Sequence, residues 1–203
     1  MKQRKLSAVK HDIEDVNEKA LQRAILFQGT STVVEFGKIQ WLDIELLVNG
    51  SRTAPRGECV DLIGKCEEGY VLCELKFLKH NSKSNSPEYA CDELQRYCKQ
   101  ISDNWKELEG LNLHHSDCGD FSWEDIAKDI NSGKIVKIIA ANKDYWQYWL
   151  FERRKGHCYD ITTAIKKGYV LCEIDVEQDA FVLKKGDNKK YLPDIELGPW
   201  SIL

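Results

Sequence analysis

Arg56-Gly57-Glu58-Cys59-Val60-Asp61-Leu62-Ile63-Gly64, followed after a charged turn by Gly69-Tyr70-Val71-Leu72-Cys73-Glu74-Leu75-Lys76-Phe77, is the stretch from which the fold is read. Apolar and β-branched residues fill both runs, and the segment from Gly64 to Gly69 reads as the turn between them, so a β-hairpin is predicted. Side chains alternate across a strand at about 3.3 Å per residue, which puts Glu74 and Lys76 on one face about 7 Å apart and Leu75 and Phe77 on the other. Asp61 lies on the partner strand within reach of the charged face. Two carboxylates and an ammonium group would then share a small volume. The competing reading is an amphipathic hairpin whose charged face is merely solvated.

The chemistry that such a trio serves is metal-assisted hydrolysis of a phosphodiester. Carboxylate oxygens from Asp61 and Glu74 are hard ligands suited to Mg²⁺ or Mn²⁺, an ion that keeps several waters and accepts a phosphate oxygen. It would activate a bound water and offset charge on the pentavalent transition state. The Lys76 ammonium would orient the attacking water or stabilise the developing phosphate charge.

With Asp61 and Glu74-Leu75-Lys76 in this order, and Arg56-Gly57 leading into the first strand, the chain resembles the PD-(D/E)xK nuclease superfamily. Val60 stands where the family name has proline. The resemblance implies an α/β fold with a restriction-endonuclease-like core, a mixed central sheet flanked by helices in the order αβββαβ. It implies a Mg²⁺-dependent nuclease acting on DNA, with a homodimer or a protein partner as further expectations. It also implies a glutamate on the first helix that faces the metal, here Glu18 with Glu14 as substitute, so that Asp61, Glu74 and Glu18 form the expected ligand set. A site glutamine on the helix after the hairpin, carried over as Gln95, completes the catalytic set. The usual partner of that glutamine, a tyrosine four residues on, is replaced by Lys99, with Tyr97 nearest. The same fold without catalysis, binding nucleic acid or a protein partner in a larger complex, is the alternative.

Outward from the hairpin, residues 12–28 are predicted as a helix capped by Asp12 and ended by Gly29, with Val16, Ala20, Ala24 and Phe27 as its apolar stripe. Glu18 lies three and seven residues before Leu21 and Ile25, beside the buried side. Alternatively Asp15-Val16-Asn17-Glu18 is a capping box and Glu18 reaches only a backbone amide. Strands are expected over 33–36 and 39–48, closed by Asn49-Gly50. Pro87 opens a long helix to Leu108 whose stripe is Ala90, Leu94, Tyr97, Ile101, Trp105 and Leu108. Ser122 caps a short helix over 123–130. The run Lys134 to Ala141 is apolar enough for a strand covered on both faces.

Beyond Asn142, Lys143, Arg153 and Arg154 are candidate phosphate contacts, interleaved with Trp146 and Trp149, whose spacing suits the inner face of a helix. Gly168-Tyr169-Val170-Leu171-Cys172-Glu173 repeats Gly69 to Glu74 residue for residue, then departs to Ile174-Asp175 where the first copy has Leu75-Lys76. Without the lysine, Glu173 and Asp175 rank below the first copy as a site. Residues 12–150 are read as the core of a single 203-residue domain, with 151–203 an extension packed on it.

At 203 residues and 42% hydrophobic content the chain can bury a sizeable core. A net charge of −4 excludes a global basic field, so nucleic-acid binding would rest on a local patch. No apolar run approaches a membrane span, and Met1-Lys2-Gln3-Arg4-Lys5 leads into no signal-peptide core, so a cytoplasmic protein is expected. The eight cysteines include no Cys-x-x-Cys pair and read as reduced thiols, mostly small buried hydrophobes. His114, His115 and Cys118 have metal-like composition but lack a fourth ligand nearby and read as loop.

Overall fold

The two runs around Asp61 and Glu74 pair in the computed structural model as antiparallel strands β3 (Cys59–Cys66) and β4 (Gly69–Lys76), joined by Glu67-Glu68. The structure describes residues 18–34, 36–48, 59–78, 84–109, 121–153, 158–176, 183–185, 191–193 and 197–203. Gly64 lies inside β3 rather than opening the turn. Its role is a close approach: a Cβ there would meet the Gln40 carbonyl oxygen and the Trp41 ring, each at 2.8 Å. The neighbouring strand, not local turn chemistry, requires glycine at this position.

Helix α1 (Glu18–Gln28) precedes the sheet and buries Ala20, Leu21, Ala24 and Ile25. Phe27, expected on the stripe, is 40% exposed, because the buried face turns through Leu21 and Ile25 instead. Gly29, with φ +78°, ends the helix by donating to the Ile25 carbonyl at 3.1 Å. The predicted helical residues before Glu18, with Asp12 and Glu14, lie outside the described residues, as do Arg56-Gly57, His114, His115, Cys118 and Arg154. Strand β1 (Thr30–Val33) starts earlier than expected and pairs with β2 (Gly37–Leu47), at whose start Gly37 takes φ +109°.

Helix α2 (Pro87–Leu108) opens at Pro87 as its sequence predicts, and the Ser86 hydroxyl, which the sequence reading did not single out, caps it by accepting from the Tyr89 amide at 3.2 Å. Ser122 caps α3 (Trp123–Asn131) in the same way, accepting from the Asp125 amide. Strand β5 (Val136–Asn142) follows. It leads directly into α4 (Lys143–Gln147), which passes into a π-helical turn over Tyr148–Glu152. After α5 (Ile161–Lys166), the second copy of Gly-Tyr-Val-Leu-Cys-Glu forms β6 (Tyr169–Ile174). Among the described residues strands β7 (Leu183–Lys185) and β8 (Tyr191–Pro193) pair only with each other, and β9 (Ser201–Ile202) follows.

Among the described residues the main sheet has seven strands in the order β1-β2-β3-β4-β5-β6-β9. β1 to β4 form an antiparallel meander, β4, β5 and β6 run parallel, and β9 is antiparallel to β6. The two echoing strands therefore flank β5 on either side. Strands from residues 151–203 extend the sheet itself. One face, carrying Leu62, Val71, Cys73, Leu75 and Ile138, packs on α1. The other, with Leu72, Ile139 and Ala141, packs on Leu94, Tyr97 and Ile101 of α2 and on Trp146 and Trp149. β5 is thus covered on both faces, as its unbroken apolar run requires.

Trp200 ties the two ends of the strand order together. It donates its amide to the Thr32 carbonyl and accepts from the Val34 amide, both at 2.8 Å, while Ser201 and Ile202 pair with β6. Its fully buried ring stacks on Trp41 at 5.5 Å between centroids. Among the described residues no helix is long and apolar enough to cross a membrane.

Candidate functional site

The β3–β4 ladder ends at the pair Leu62–Cys73, and beyond it the strands separate. Asp61 stands at that point. Its Oδ2 accepts the Leu75 amide at 2.8 Å, taking the place of a strand carbonyl, and its Oδ1 accepts from Gln22 Nε2 of α1 at 2.7 Å. Both carboxylate oxygens are fixed, yet each keeps a lone pair.

One turn before Gln22 on the same helix face is Glu18. Its carboxylate accepts a backbone bond from Phe77, just past β4. Glu74 and Lys76 project together from β4 on the α2 side, in line with Leu72, as strand alternation demands. Lys76 Nζ donates to Glu74 Oε1 at 2.6 Å and to Glu93 Oε2 of α2 at 3.2 Å. Arg96 Nη2 stands 3.8 Å from Glu93 Oε1. Glu74, Lys76 and Glu93 are all buried, and Glu74 Oε2 is a buried acceptor with no partner among the described residues.

Among the described residues four carboxylates therefore surround one ammonium group. Burial, reinforced by the charge of Asp61, pushes Glu18 up from 4.5 to about 7, against the opposing pull of Lys76 and the Phe77 amide. Burial likewise pushes Asp61 up from 3.8 to about 6, opposed by Lys76 and the Leu75 amide. Glu74 is raised well above the usual carboxylate range, first by burial and then by Asp61. Burial alone would lower Lys76, but Glu74, Asp61 and Glu18 together hold it above its ordinary value. Tyr97, one turn beyond Glu93, is raised by burial and then by Glu74 and Glu93, which marks its ring as a wall of the same cluster.

A hard divalent cation fits two of these groups. Mg²⁺ is commonly held by one or two carboxylates, with water and substrate oxygens completing its shell. Asp61 and the unpartnered Glu74 Oε2 supply such a pair, and a cation beside them would offset repulsion between their charges. Among the described residues no group of three or more His, Cys, Asp or Glu side chains converges to hold a metal, so the expected set Asp61, Glu74 and Glu18 is not closed as the side chains stand.

Of the sequence-predicted residues, Asp61, Glu74, Lys76 and Glu18 come together. Gln95 does not: it is exposed, and its Oε1 lies 3.5 Å from the hydroxyl of Tyr169 on β6, turned away from Lys76. The α2 side chain that reaches the lysine is Glu93, two residues earlier. Gln22 is a second residue that the sequence reading missed. Lys143 begins α4 just past Asn142, whose side chain is bonded both to and from the Leu78 backbone, so β5 and the extension of β4 are stitched together beside the site. Arg153 is exposed and lies over the Trp149 ring at 4.2 Å. Glu173 is separated from Glu74 by β5, outside the cluster. All described cysteines are free thiols.

No protein-family model matches the chain, and no curated protein and no solved structure matches it either.

Proposed function

We propose that the chain is a metal-dependent nuclease of the PD-(D/E)xK type, hydrolysing phosphodiester bonds in DNA with Mg²⁺ or Mn²⁺. In this reading α1, the β2–β4 meander, α2 and β5 constitute a restriction-endonuclease-like core. The observation that supports it most is the meeting of Asp61, Glu74 and Lys76 where β3 and β4 part, with one oxygen of Glu74 buried and unpartnered.

Asp61 and Glu74 would hold the ion, and a bound divalent cation would supply Lewis acidity for the water and charge compensation for the phosphate. The chain's own residues do the rest. The Leu75 amide and Gln22 lock the Asp61 carboxylate in place, so little reorganisation accompanies substrate binding. Lys76, kept cationic by the surrounding carboxylates, orients a water or stabilises charge on the phosphate oxygens. Glu18, poised near neutrality, is a candidate to take up a proton from that water. Lys143 and Arg153, both exposed, are proposed contacts for the DNA backbone.

The test is a thermal shift with an internal control. Mn²⁺ is expected to raise the melting temperature, since a ligand that binds only the native state stabilises it. Glu74→Gln should abolish most of that rise, and Glu173→Gln on the echoing strand should leave it intact. A rise that depends on Glu173, or no rise, would remove the metal site from β4 and the nuclease reading with it.

A further inference from the structure

Glu93 is not needed to neutralise Lys76. Glu74 already sits 2.6 Å from the amine, and Glu93 adds a second buried carboxylate at 3.2 Å, whose other oxygen has the largely exposed Arg96 guanidinium 3.8 Å away. Buried ion pairs seldom repay the desolvation of their charges, so stability alone is a poor explanation for a second anion on one cation. Glu93 is nevertheless well placed. It projects from the buried face of a long helix, and its other oxygen faces Arg96.

We propose that Glu93 is the second anchor of the Lys76 ammonium, a positioning residue that holds the amine when the Glu74 carboxylate also binds a divalent cation through Oε2. The inference rests on the metal-binding reading of Asp61 and Glu74. As the side chains stand, Lys76 bonds Glu74 Oε1 and Glu93 Oε2 together while Glu74 Oε2 is open, so an ion taken at Oε2 draws charge from the carboxylate that the amine also uses. With Glu93 present, the amine keeps a charge-assisted hydrogen bond in a buried setting even as its bond to Glu74 weakens. Without it, each ion bound at Glu74 would leave an ammonium group poorly compensated, which costs binding free energy.

The experiment reads ion binding alone, without DNA. Mn²⁺ is titrated into the full chain and free Mn²⁺ is followed by its electron paramagnetic resonance signal. The titration covers the wild type, Glu93→Gln, Lys76→Met and the double variant, with folding of each checked by circular dichroism. Glu93→Gln is expected to weaken Mn²⁺ binding about tenfold in the wild-type background and less than about twofold once Lys76 is Met, since the amine it serves is then gone. Glu93→Asp should recover part of the loss. Should Lys76→Met not fold, Lys76→Gln takes its place in the cycle. An equal loss in both backgrounds would mean that Glu93 acts on the ion by its charge and not through Lys76, and would overturn the proposal. So would unchanged binding in Glu93→Gln. If the wild type itself binds no Mn²⁺, the metal reading fails first, and that outcome is distinct from a wild type that binds without regard to Glu93.

Discussion

Asp61 Oδ2 accepts the Leu75 amide at 2.8 Å, so a side chain closes the strand ladder where the backbone of β3 has already turned away. The same carboxylate has a structural duty and a proposed chemical one, and substitution separates them. Asp61→Asn keeps an acceptor for the Leu75 amide, offers its NH2 to Gln22 Oε1, otherwise unpartnered among the described residues, once that amide turns over, and removes one charge from a crowded cluster, whereas Asp61→Ala strands a buried amide at about 1–3 kcal/mol. Urea unfolding in chelator is expected to find Asp61→Asn at least as stable as the wild type and Asp61→Ala less stable. Equal loss in the two variants would contradict this account of the ladder.

The pH dependence of stability follows from Glu18 and Asp61. Their pKa values, raised to about 7 and about 6 in the fold, exceed the ordinary 4.5 and 3.8. The native state therefore holds more protons than the unfolded chain across that interval. Stability from this pair is greatest at acid pH, falls as pH rises from about 4 to about 7, and is flat above. Glu18→Gln should flatten part of this slope. Unfolding measured in chelator at about pH 5 and about pH 8 should show a smaller loss in the variant than in the wild type. Identical losses would place Glu18 outside the cluster's electrostatics.

Lys76→Ala tests the lysine as an electrostatic group. Cleavage is expected to fall by about 10²- to 10³-fold, the usual effect of losing one preorganised charge-stabilising group. Asp61 and Glu74 remain, so Mn²⁺ binding should persist. Turnover unchanged from the wild type would exclude Lys76 from the reaction.

Trp200 is fully buried, stacked on Trp41, and bonded through its backbone to the far edge of the sheet. Trp200→Ala is expected to cost about 3–5 kcal/mol by chemical denaturation. A cost below about 1 kcal/mol would mean that the sheet does not depend on the Trp200 side chain to join its edges.

The elements that could be read from sequence are those specified locally. Ser86-Pro87 and Ser122 start their helices with their own side chains, and the Val71-to-Leu75 run carries its strand period on its face. Gly64 was open to misreading because its reason lies on β2, in the backbone of Gln40 and the ring of Trp41. Trp200 is opaque for the same reason, since its partners are near the other end of the chain. In the site, Asp61, Glu74 and Lys76 are legible from strand alternation, and Glu18 from helix phase. Glu93 also left a signal: a carboxylate three residues after Ala90 and four before Tyr97 lies on the apolar stripe, where an unpaired charge has no place. Gln95, which matched by residue type, is off that stripe and exposed.

The central claim is metal-dependent cleavage of DNA at this cluster. Plasmid DNA incubated with the protein and Mn²⁺ or Mg²⁺ should be nicked or linearised, with no cutting in chelator. Asp61→Asn, which keeps the acceptor for the Leu75 amide and should remain folded, should leave the plasmid intact under the same conditions. Cutting that survives both chelator and Asp61→Asn, or a folded, Mn²⁺-binding wild type that never cuts, would contradict the account.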